Sequence, residues 1–348
     1  MNYCMKDHLL MEFSVVIPSR NRPENLMVCL ESIVRMFALT SISYEMIIVD
    51  DGSNLNVRKH YIELSEQYNT KLLNSRGSGP SAARNLGAIT AQGEWIYFID
   101  DDVIMDEKSI QWWPTQNRTE GAGYQGITRV HKSPNWSHIR ASTADFVDGF
   151  GSGNIIYRRD LFLKLGGFDE AYFLKSFGIH FREDTDLGLR FVRNGYNLPV
   201  VDQMTANHPA HDSRDPLFLL KDARKYFFEP YFKRRNPEAS SWIGSPFVKG
   251  RLGTYQLRGS ISILFVSLLP LVNYLWPLVP GILLFLYFVL SLIIFRSLTL
   301  TPSFWGYAPL ILIFYPIIHG FSYLIGFIFG PRGPRLINKV CRETNSGS

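Results

Sequence analysis

The stretch YFIDDDVIMD, Tyr97 to Asp106, ends an apolar run with three consecutive aspartates, Asp100, Asp101 and Asp102. Adjacent ionised carboxylates repel one another, so this arrangement is costly unless a cation compensates their charge. Mg²⁺ and Mn²⁺ prefer oxygen ligands, and in proteins they often bridge carboxylates to substrate phosphates. The stretch therefore predicts a divalent-metal site at the end of a buried strand, or alternatively an acidic turn that caps the next helix.

Strand and helix patterns alternate on both sides of this stretch, which predicts an α/β domain with a largely parallel sheet covered on both faces. In such sheets, ligands bind beyond the carboxyl ends of the strands. The predicted strands are Phe13–Pro18, Tyr44–Ser53, Lys71–Asn74, Trp95–Ile99, Ala122–Val130, Phe146–Arg158 and Leu198–Val201. The predicted helices are Asn21–Phe37, Val57–Tyr68, Ser81–Ala91, Asp160–Leu165 and Arg182–Asn194.

Other polar motifs follow the predicted strands. Asp50 and Asp51 end the second strand, and the segment RGSGPSAARNLG, residues 76–87, offers glycines and Arg84 to a phosphate. The segment REDTD, residues 182–186, opens a helix with three acids, which also suits the helix dipole. Two histidines, His208 and His211, follow the last predicted strand and are candidate metal ligands or ordinary polar residues.

These motifs together resemble family 2 of the inverting nucleotide-sugar glycosyltransferases, whose members have a GT-A fold. The resemblance runs from about Phe13 to His211. It rests on VVIPSRNRPENL, IIVDDGS, GPSAARNLGA, the strand-end DDD, GSGNIIYRRDLFLKLGGFDE and EDTDLGLRFVRNGY, which occur in the family's order. The implied fold is a Rossmann-like, mostly parallel sheet with flanking helices.

The resemblance implies a role for each matching residue. A nucleotide-sugar donor would be bound by Pro18, Arg20, Asp51, Arg84, Asp100, Asp101, Gly153 and Asn154. A Mg²⁺ or Mn²⁺ ion would be held by Asp102, Asp100 and His208, with His211 as a second histidine nearby. Asp184, beside Glu183, would be the general base that activates an acceptor hydroxyl. The resemblance thus predicts a metal-dependent enzyme that transfers a sugar with inversion of the anomeric carbon.

The acceptor and several rival functions stay open at this point. The Q-x-x-R-W motif of processive synthases is absent, so we expect one sugar per encounter. A lipid-linked acceptor hydroxyl is favoured, and a polyprenyl phosphate is the alternative. A NAD(P)-dependent oxidoreductase is a remote rival, because Gly77–Ala82 mimics a G-x-G-x-x-A motif. A non-catalytic membrane scaffold is another, and no nucleic-acid partner is expected.

The chain also contains a long apolar region that contrasts with the rest of its 348 residues. Between residues 261 and 329, Arg296 and His319 are the only residues of the Asp, Glu, Lys, Arg and His types. Residues 279–295 and 307–329 are predicted membrane spans, and residues 261–276 a shorter or re-entrant piece. Basic residues on both flanks predict that the catalytic domain and the C-terminus are cytoplasmic.

Four regions follow from these patterns. The prediction is a glycosyltransferase domain over residues 1–215, a basic and aromatic interface segment over 216–260, a membrane region over 261–330 and a basic tail over 331–348. In the second region, Pro216–Arg235 mixes aromatic and basic residues, as an amphipathic helix on a membrane surface does. A helix packed in a protein core is the alternative for this segment.

Overall fold

The computed structural model describes residues 11–113, 121–130, 150–208, 218–239 and 308–337. The chain divides into two compact units. The first contains the described residues 11–113, 121–129, 150–208 and 333–337, and the second contains 130, 218–239 and 308–332.

Ten strands and eight α-helices are named here within the described residues. The strands are β1 (Phe13–Ser19), β2 (Tyr44–Asp50), β3 (Lys71–Asn74), β4 (Trp95–Ile99), β5 (Ile104–Met105), β6 (Gly123–Val130), β7 (Asn154–Arg158), β8 (Phe173–Leu174), β9 (Ile179–His180) and β10 (Val200–His208). The helices are α1 (Pro23–Ala38), α2 (Leu55–Gln67), α3 (Pro80–Thr90), α4 (Arg159–Lys164), α5 (Glu183–Arg193), α6 (Phe218–Ala223), α7 (Glu229–Arg235) and α8 (Ala308–Phe329).

Eight of the strands form one sheet in the order β3-β2-β1-β4-β7-β6-β10-β5. The predicted parallel arrangement is confirmed for β3, β2, β1 and β4. The pairings of β7 with β4 and β6, and of β10 with β5, are antiparallel, which the sequence patterns did not indicate. Since β1, β2 and β4 run in the same direction, their carboxyl ends meet at one edge of the sheet.

The parallel strands β1 and β4 are buried on both faces because apolar side chains alternate between two cores. Val15 and Ile17 of β1 pack in the core that includes α1, whereas Val16 packs in the core that includes α3. A side chain at Gly87 would collide with Val16, so the small residues of α3 let this helix lie close to β1. This close packing fixes α3, and with it Arg84, over the sheet.

Two predicted strands differ from the observed ones. The described part of the predicted strand 146–158 is extended only over β7, and residues 146–149 lie outside the described residues. The predicted strand Leu198–Val201 was too short, because β10 continues to His208. Met204 and Ala206 alternate into the core, and this pattern carries His208 to the end of a strand.

The second unit contains α6, α7, the turn of 3-10 helix Arg224–Phe228 between them, and α8. The aromatic residues of the predicted interface segment are buried in it: Tyr226, Phe227, Phe228, Tyr231 and Phe232. The ring of Tyr226 contacts the tilted ring of His319 of α8, and Gly326 lets α8 approach the backbone at Phe227. These five aromatic side chains, within the part of the segment that the structure describes, therefore pack as the core alternative expects.

The described residues give the predicted membrane spans no support. Residues 261–276 and 279–295 lie outside the described ranges, and residues 308–329 of the last predicted span form α8. Across the described ranges, no helix has the length and apolar character that crossing a membrane requires. The spans therefore remain a prediction.

The predicted basic tail begins with a segment that is built into the first unit. The backbone N–H of Arg335 donates to Asp169, and its carbonyl accepts from the N–H of Glu170. Ile337 is buried in the core that contains Phe168. Residues 333–337 of the predicted tail therefore pack against the loop that leads to β8.

Candidate active site

The first aspartate of the triplet is paired with a buried arginine. The chain turns sharply after β4, where the N–H of Val103 donates to the carbonyl of Asp100. Arg84 Nη2 lies 2.5 Å from Asp100 Oδ1, and the Arg84 side chain is only 5% exposed. Gly153 lies against the other carboxylate oxygen, because a Cβ there would come within 2.7 Å of Asp100 Oδ2. Asp100, Arg84 and Gly153 are thus brought together.

The second aspartate, Asp101, points into the protein. Its Oδ2 accepts a hydrogen bond from Ser19 Oγ at 2.6 Å, and its Oδ1 accepts one from Arg22 Nη1 at 3.1 Å. Burial raises the pKa of Asp101 to about 6, although Arg22 and Ser19 act to lower it. The side chain ties the end of β4 to the end of β1, which is a structural use and differs from the predicted contact with a nucleotide sugar.

The third aspartate, Asp102, meets the predicted histidine. Its Oδ1 lies 3.3 Å from Nε2 of His208, and its Oδ2 accepts a hydrogen bond from Arg22 Nη1 at 3.0 Å. Asp102 and His208 come from strand ends that are distant in sequence, and they place a carboxylate oxygen beside an imidazole nitrogen. Asp100 does not join this pair, since it is held by Arg84.

These two side chains fit a divalent cation in part. Mg²⁺ and Mn²⁺ sites commonly use one or two protein ligands and complete their shell with water and substrate phosphates. Within the described residues there is no group of three or more His, Cys, Asp or Glu side chains placed to hold a metal ion. Asp102 and His208 therefore suit an ion that arrives with a phosphate-bearing ligand. His211, the other predicted histidine, lies outside the described residues.

The end of β2 organises the glycine-rich loop. Asp51 Oδ1 accepts hydrogen bonds from Ser75 Oγ at 2.5 Å and from the Gly79 N–H at 3.1 Å. Gly77 and Gly79 have φ angles of 71° and 95°, which favour glycine. Asp51 thereby holds the loop that starts α3. The loop follows β3, whereas a dinucleotide-binding motif normally follows the first strand.

The remaining predicted donor-binding residues differ in their surroundings. Pro18 is buried in β1, and Arg20 is exposed just beyond it. Asn154 accepts from Tyr97 Oη at 2.8 Å and donates to the carbonyl of Met204 at 3.1 Å. It is buried and joins three strands, so it supports the sheet beneath the site, and Gly153 is the neighbour that reaches Asp100.

Sequence reasoning missed Arg22, which contacts Asp101 and Asp102; the resemblance assigned only the nearby Arg20, and to the nucleotide base. Its backbone N–H donates to Tyr61 Oη at 3.1 Å, immediately before α1 begins. No sequence signal separates Arg20 from Arg22, because both are cations that flank Asn21 after the same strand. The distinction depends on a contact with Tyr61 of α2, which is distant in sequence.

The predicted catalytic acids open α5. Glu183 is buried and accepts a hydrogen bond from His180 Nδ1 at 2.8 Å, and Asp184 Oδ1 accepts one from the Thr185 N–H at 2.7 Å. Burial and the adjacent charge of Glu183 raise the pKa of Asp184 to about 6. For Glu183, burial acts to raise the pKa, but His180 and Arg84 outweigh it and lower the pKa. Sequence reasoning also missed His180.

Arg84 connects the two acidic motifs. Burial opposes its charge, but Asp100, Glu183 and Asp184 together raise the pKa of its guanidinium. Within the described residues, Arg84 Nε and Nη1 are buried without a hydrogen-bond acceptor. A buried cation with free donors, between two sets of carboxylates, can bind an anionic group.

Comparison with known proteins finds glycosyltransferases among the relatives of this chain. The family model of Glycosyl transferase family 2 matches residues 14–167. An uncharacterized glycosyltransferase of Haemophilus influenzae is 28% identical over 176 residues, which cover 45% of this chain and 56% of that relative. The poly(ribitol-phosphate) beta-N-acetylglucosaminyltransferase TarP of Staphylococcus aureus is 32% identical over 103 residues, or 28% of this chain and 30% of that relative. The chain therefore spans little more than half the length of the first of these relatives.

A solved structure supports the fold. A mannosyltransferase from Pyrobaculum calidifontis, in complex with GDP-Man and Mn²⁺, superimposes with a TM-score of 0.57 at 14% identity. The match covers 90% of this chain and 87% of that one. The sheet with its flanking helices fits the predicted GT-A fold. The match to Glycosyl transferase family 2 thus covers residues 14–167, and it supports the enzyme class that the sequence motifs predicted, a glycosyltransferase.

Proposed function

We propose that the protein is a metal-dependent, inverting glycosyltransferase that moves one sugar from a nucleotide-sugar donor to an acceptor hydroxyl. The observation that carries this proposal is the position of Arg84, which pairs with Asp100 and interacts with Glu183 and Asp184. Donor-binding and catalytic acids thereby face one site. The family 2 match supports the reaction class, and it leaves the oxidoreductase alternative without support.

The donor would bind along the carboxyl ends of β1, β2 and β4. Arg84 Nε and Nη1 would donate hydrogen bonds to its diphosphate, and Gly153 leaves room for the sugar beside Asp100. Pro18 and Arg20 would face the base. Since Asp51 Oδ1 already holds Ser75 and Gly79, the base would be bound through Asp51 Oδ2.

A divalent ion would be held by Asp102 and His208. When bound, Mg²⁺ or Mn²⁺ neutralises charge on the departing nucleoside diphosphate, as Lewis acids do for phosphate leaving groups. The Mn²⁺ complex of the mannosyltransferase with the same fold supports this expectation. Asp100 would support the donor through its pair with Arg84.

Asp184 would take the proton from the acceptor hydroxyl. Its Oδ1 is held by Thr185, which leaves Oδ2 to accept that proton. A pKa of about 6 makes this carboxylate a stronger base than an ordinary aspartate and still leaves it ionised near neutral pH. The attack would displace the nucleoside diphosphate in one step, which inverts the anomeric carbon without a covalent enzyme intermediate.

We further propose attachment to a membrane and a lipid-linked acceptor, with the catalytic domain and the C-terminus in the cytoplasm. The apolar composition of residues 261–329 and the flanking basic residues support this proposal. The α8 helix also exposes large apolar side chains: Phe314, Phe321, Leu324, Ile325, Phe327, Ile328 and Phe329. Such a concentration is unusual on a water-exposed surface.

A polyprenyl-phosphate acceptor is the second candidate. A phosphate acceptor is already ionised, so transfer to it needs no general base. The raised pKa of Asp184 favours the hydroxyl acceptor, because proton abstraction is the step that benefits from it. The two candidates differ in their response to Asp184→Asn, which should stop transfer to a hydroxyl and spare transfer to a phosphate.

The test is a screen of nucleotide sugars with the full chain, Mn²⁺ and a membrane extract, followed by mass spectrometry of the lipid products. We expect one donor to yield a lipid product larger by a single sugar, and we expect this product to disappear with Asp184→Asn. Products from the wild type that persist unchanged in Asp184→Asn would remove Asp184 from the base role. Absence of any sugar transfer from every donor, to lipid and to soluble glycans alike, would contradict the proposed function.

A further inference from the structure

Arg22 lies against the same carboxylate, Asp102, that a divalent cation would bind. Its Nη1 donates to Asp101 Oδ1 at 3.1 Å and to Asp102 Oδ2 at 3.0 Å. His208 Nε2 covers the other oxygen of Asp102 at 3.3 Å. Both oxygens of the proposed metal ligand are therefore engaged, and the Asp102 side chain is only 9% exposed.

Two arginines, Arg84 and Arg22, neutralise the acidic triplet, and their side chains differ in how easily they could move away from it. The Arg84 side chain is 5% exposed and fixed over the sheet, whereas the Arg22 side chain is 46% exposed. Asp101 is anchored by Ser19, so Arg22 can keep that contact while it releases Asp102. If the Arg22 side chain moved away from Asp102, one carboxylate oxygen of Asp102 would become available to another cation.

A guanidinium and a dication cannot both lie close to Asp102 Oδ2 without strong repulsion, because like charges at such distances oppose each other. We infer that Arg22 is a displaceable counter-cation, which neutralises Asp102 in the free enzyme and competes with the divalent ion for it. This inference rests on the proposed metal-dependent function. It predicts that the free enzyme binds the ion more weakly than its acids alone would allow.

The experiment measures Mn²⁺ binding to the full chain by electron paramagnetic resonance, first without nucleotide and then with a nucleoside diphosphate, and in both cases without turnover. Arg22→Gln removes the competing charge, and we expect it to bind Mn²⁺ about tenfold more tightly than the wild type. Arg35→Gln is the matched control. It removes one positive charge from α1, but its partners are Glu31 and Glu107, away from the triplet. We expect its Mn²⁺ affinity to stay within about twofold of the wild type, because exposed charges at a distance are screened.

Four results would contradict the inference or the metal-dependent function on which it rests. An unchanged or weaker Mn²⁺ affinity in a folded Arg22→Gln protein would show that Arg22 does not compete with the ion. An equal gain in Arg35→Gln would show a general charge effect. Absence of Mn²⁺ binding in all proteins, even with a nucleoside diphosphate added, would contradict the metal-dependent function itself. Binding with the nucleotide but no difference between variants would refute the Arg22 role alone.

Discussion

The pH dependence of sugar transfer follows from the environment of Asp184. Its pKa is raised to about 6 by burial and by the adjacent Glu183. The proposed base works only when it is ionised. For a group that titrates near pH 6, about nine-tenths is ionised at pH 7 and about one-tenth at pH 5. We therefore expect the transfer rate with saturating donor to fall about tenfold between pH 7 and pH 5.

The assay is single-turnover transfer with Mn²⁺, followed by quantification of the product from pH 5 to pH 8. Asp184→Asn should lower the rate by about 10²-fold or more, and its residual rate should lose this pH dependence. Asp101→Asn is the matched control, since the pKa of Asp101 is also raised to about 6 but its carboxylate bonds to Ser19 and Arg22 and has no proposed part in proton transfer. In Asp101→Asn, the fall in transfer rate between pH 7 and pH 5 must persist. A wild-type transfer rate that does not change with pH, or a pH dependence that is lost only in Asp101→Asn, would refute the assignment of Asp184 as the base.

Three further substitutions test the surroundings of the site. Gly153→Ala should push Asp100 away from Arg84 and weaken donor binding about tenfold in calorimetry, and unchanged affinity would contradict the close contact. Ile337→Ala should lower the free energy of unfolding in urea by about 2–4 kcal/mol, because the side chain is buried; a loss under about 0.5 kcal/mol would show that residues 333–337 are not part of the core. His180→Ala should raise the pKa of Glu183 in carbon-13 NMR spectra, and an unshifted titration would leave the His180 contact without electrostatic effect.

The sequence predicted those parts of the candidate site that lie at the ends of strands. Buried strands are readable as apolar runs, and parallel strands bring their carboxyl ends together, so Asp51 and Asp100 could be placed at one edge. The convergence of Asp102 with His208 followed from the family resemblance, and the structure brings these two side chains within 3.3 Å. The glycine-rich loop and α3 could also be predicted, because glycines and small residues indicate a close approach of the backbone to its surroundings.

What the sequence could not predict depends on contacts between distant segments. Arg22 reaches the acids because Tyr61 holds its backbone, and His180 reaches Glu183 because the β8–β9 hairpin ends there. The burial of Asn154 likewise depends on Tyr97, on a neighbouring strand. Residues 333–337 were predicted as part of a basic tail, yet Ile337 is buried in the core of the first unit and Arg335 bonds through its backbone to Asp169 and Glu170.

The central claim is that the strand-end carboxylates hold a nucleoside diphosphate through a divalent ion. The most direct measurement is a calorimetric titration of nucleotide sugars into the wild type and Asp102→Asn, each with and without Mn²⁺. We predict saturable binding of at least one nucleotide sugar to the wild type that requires Mn²⁺ and is lost in Asp102→Asn. Equal binding with and without Mn²⁺, or equal binding by both proteins, would contradict the account.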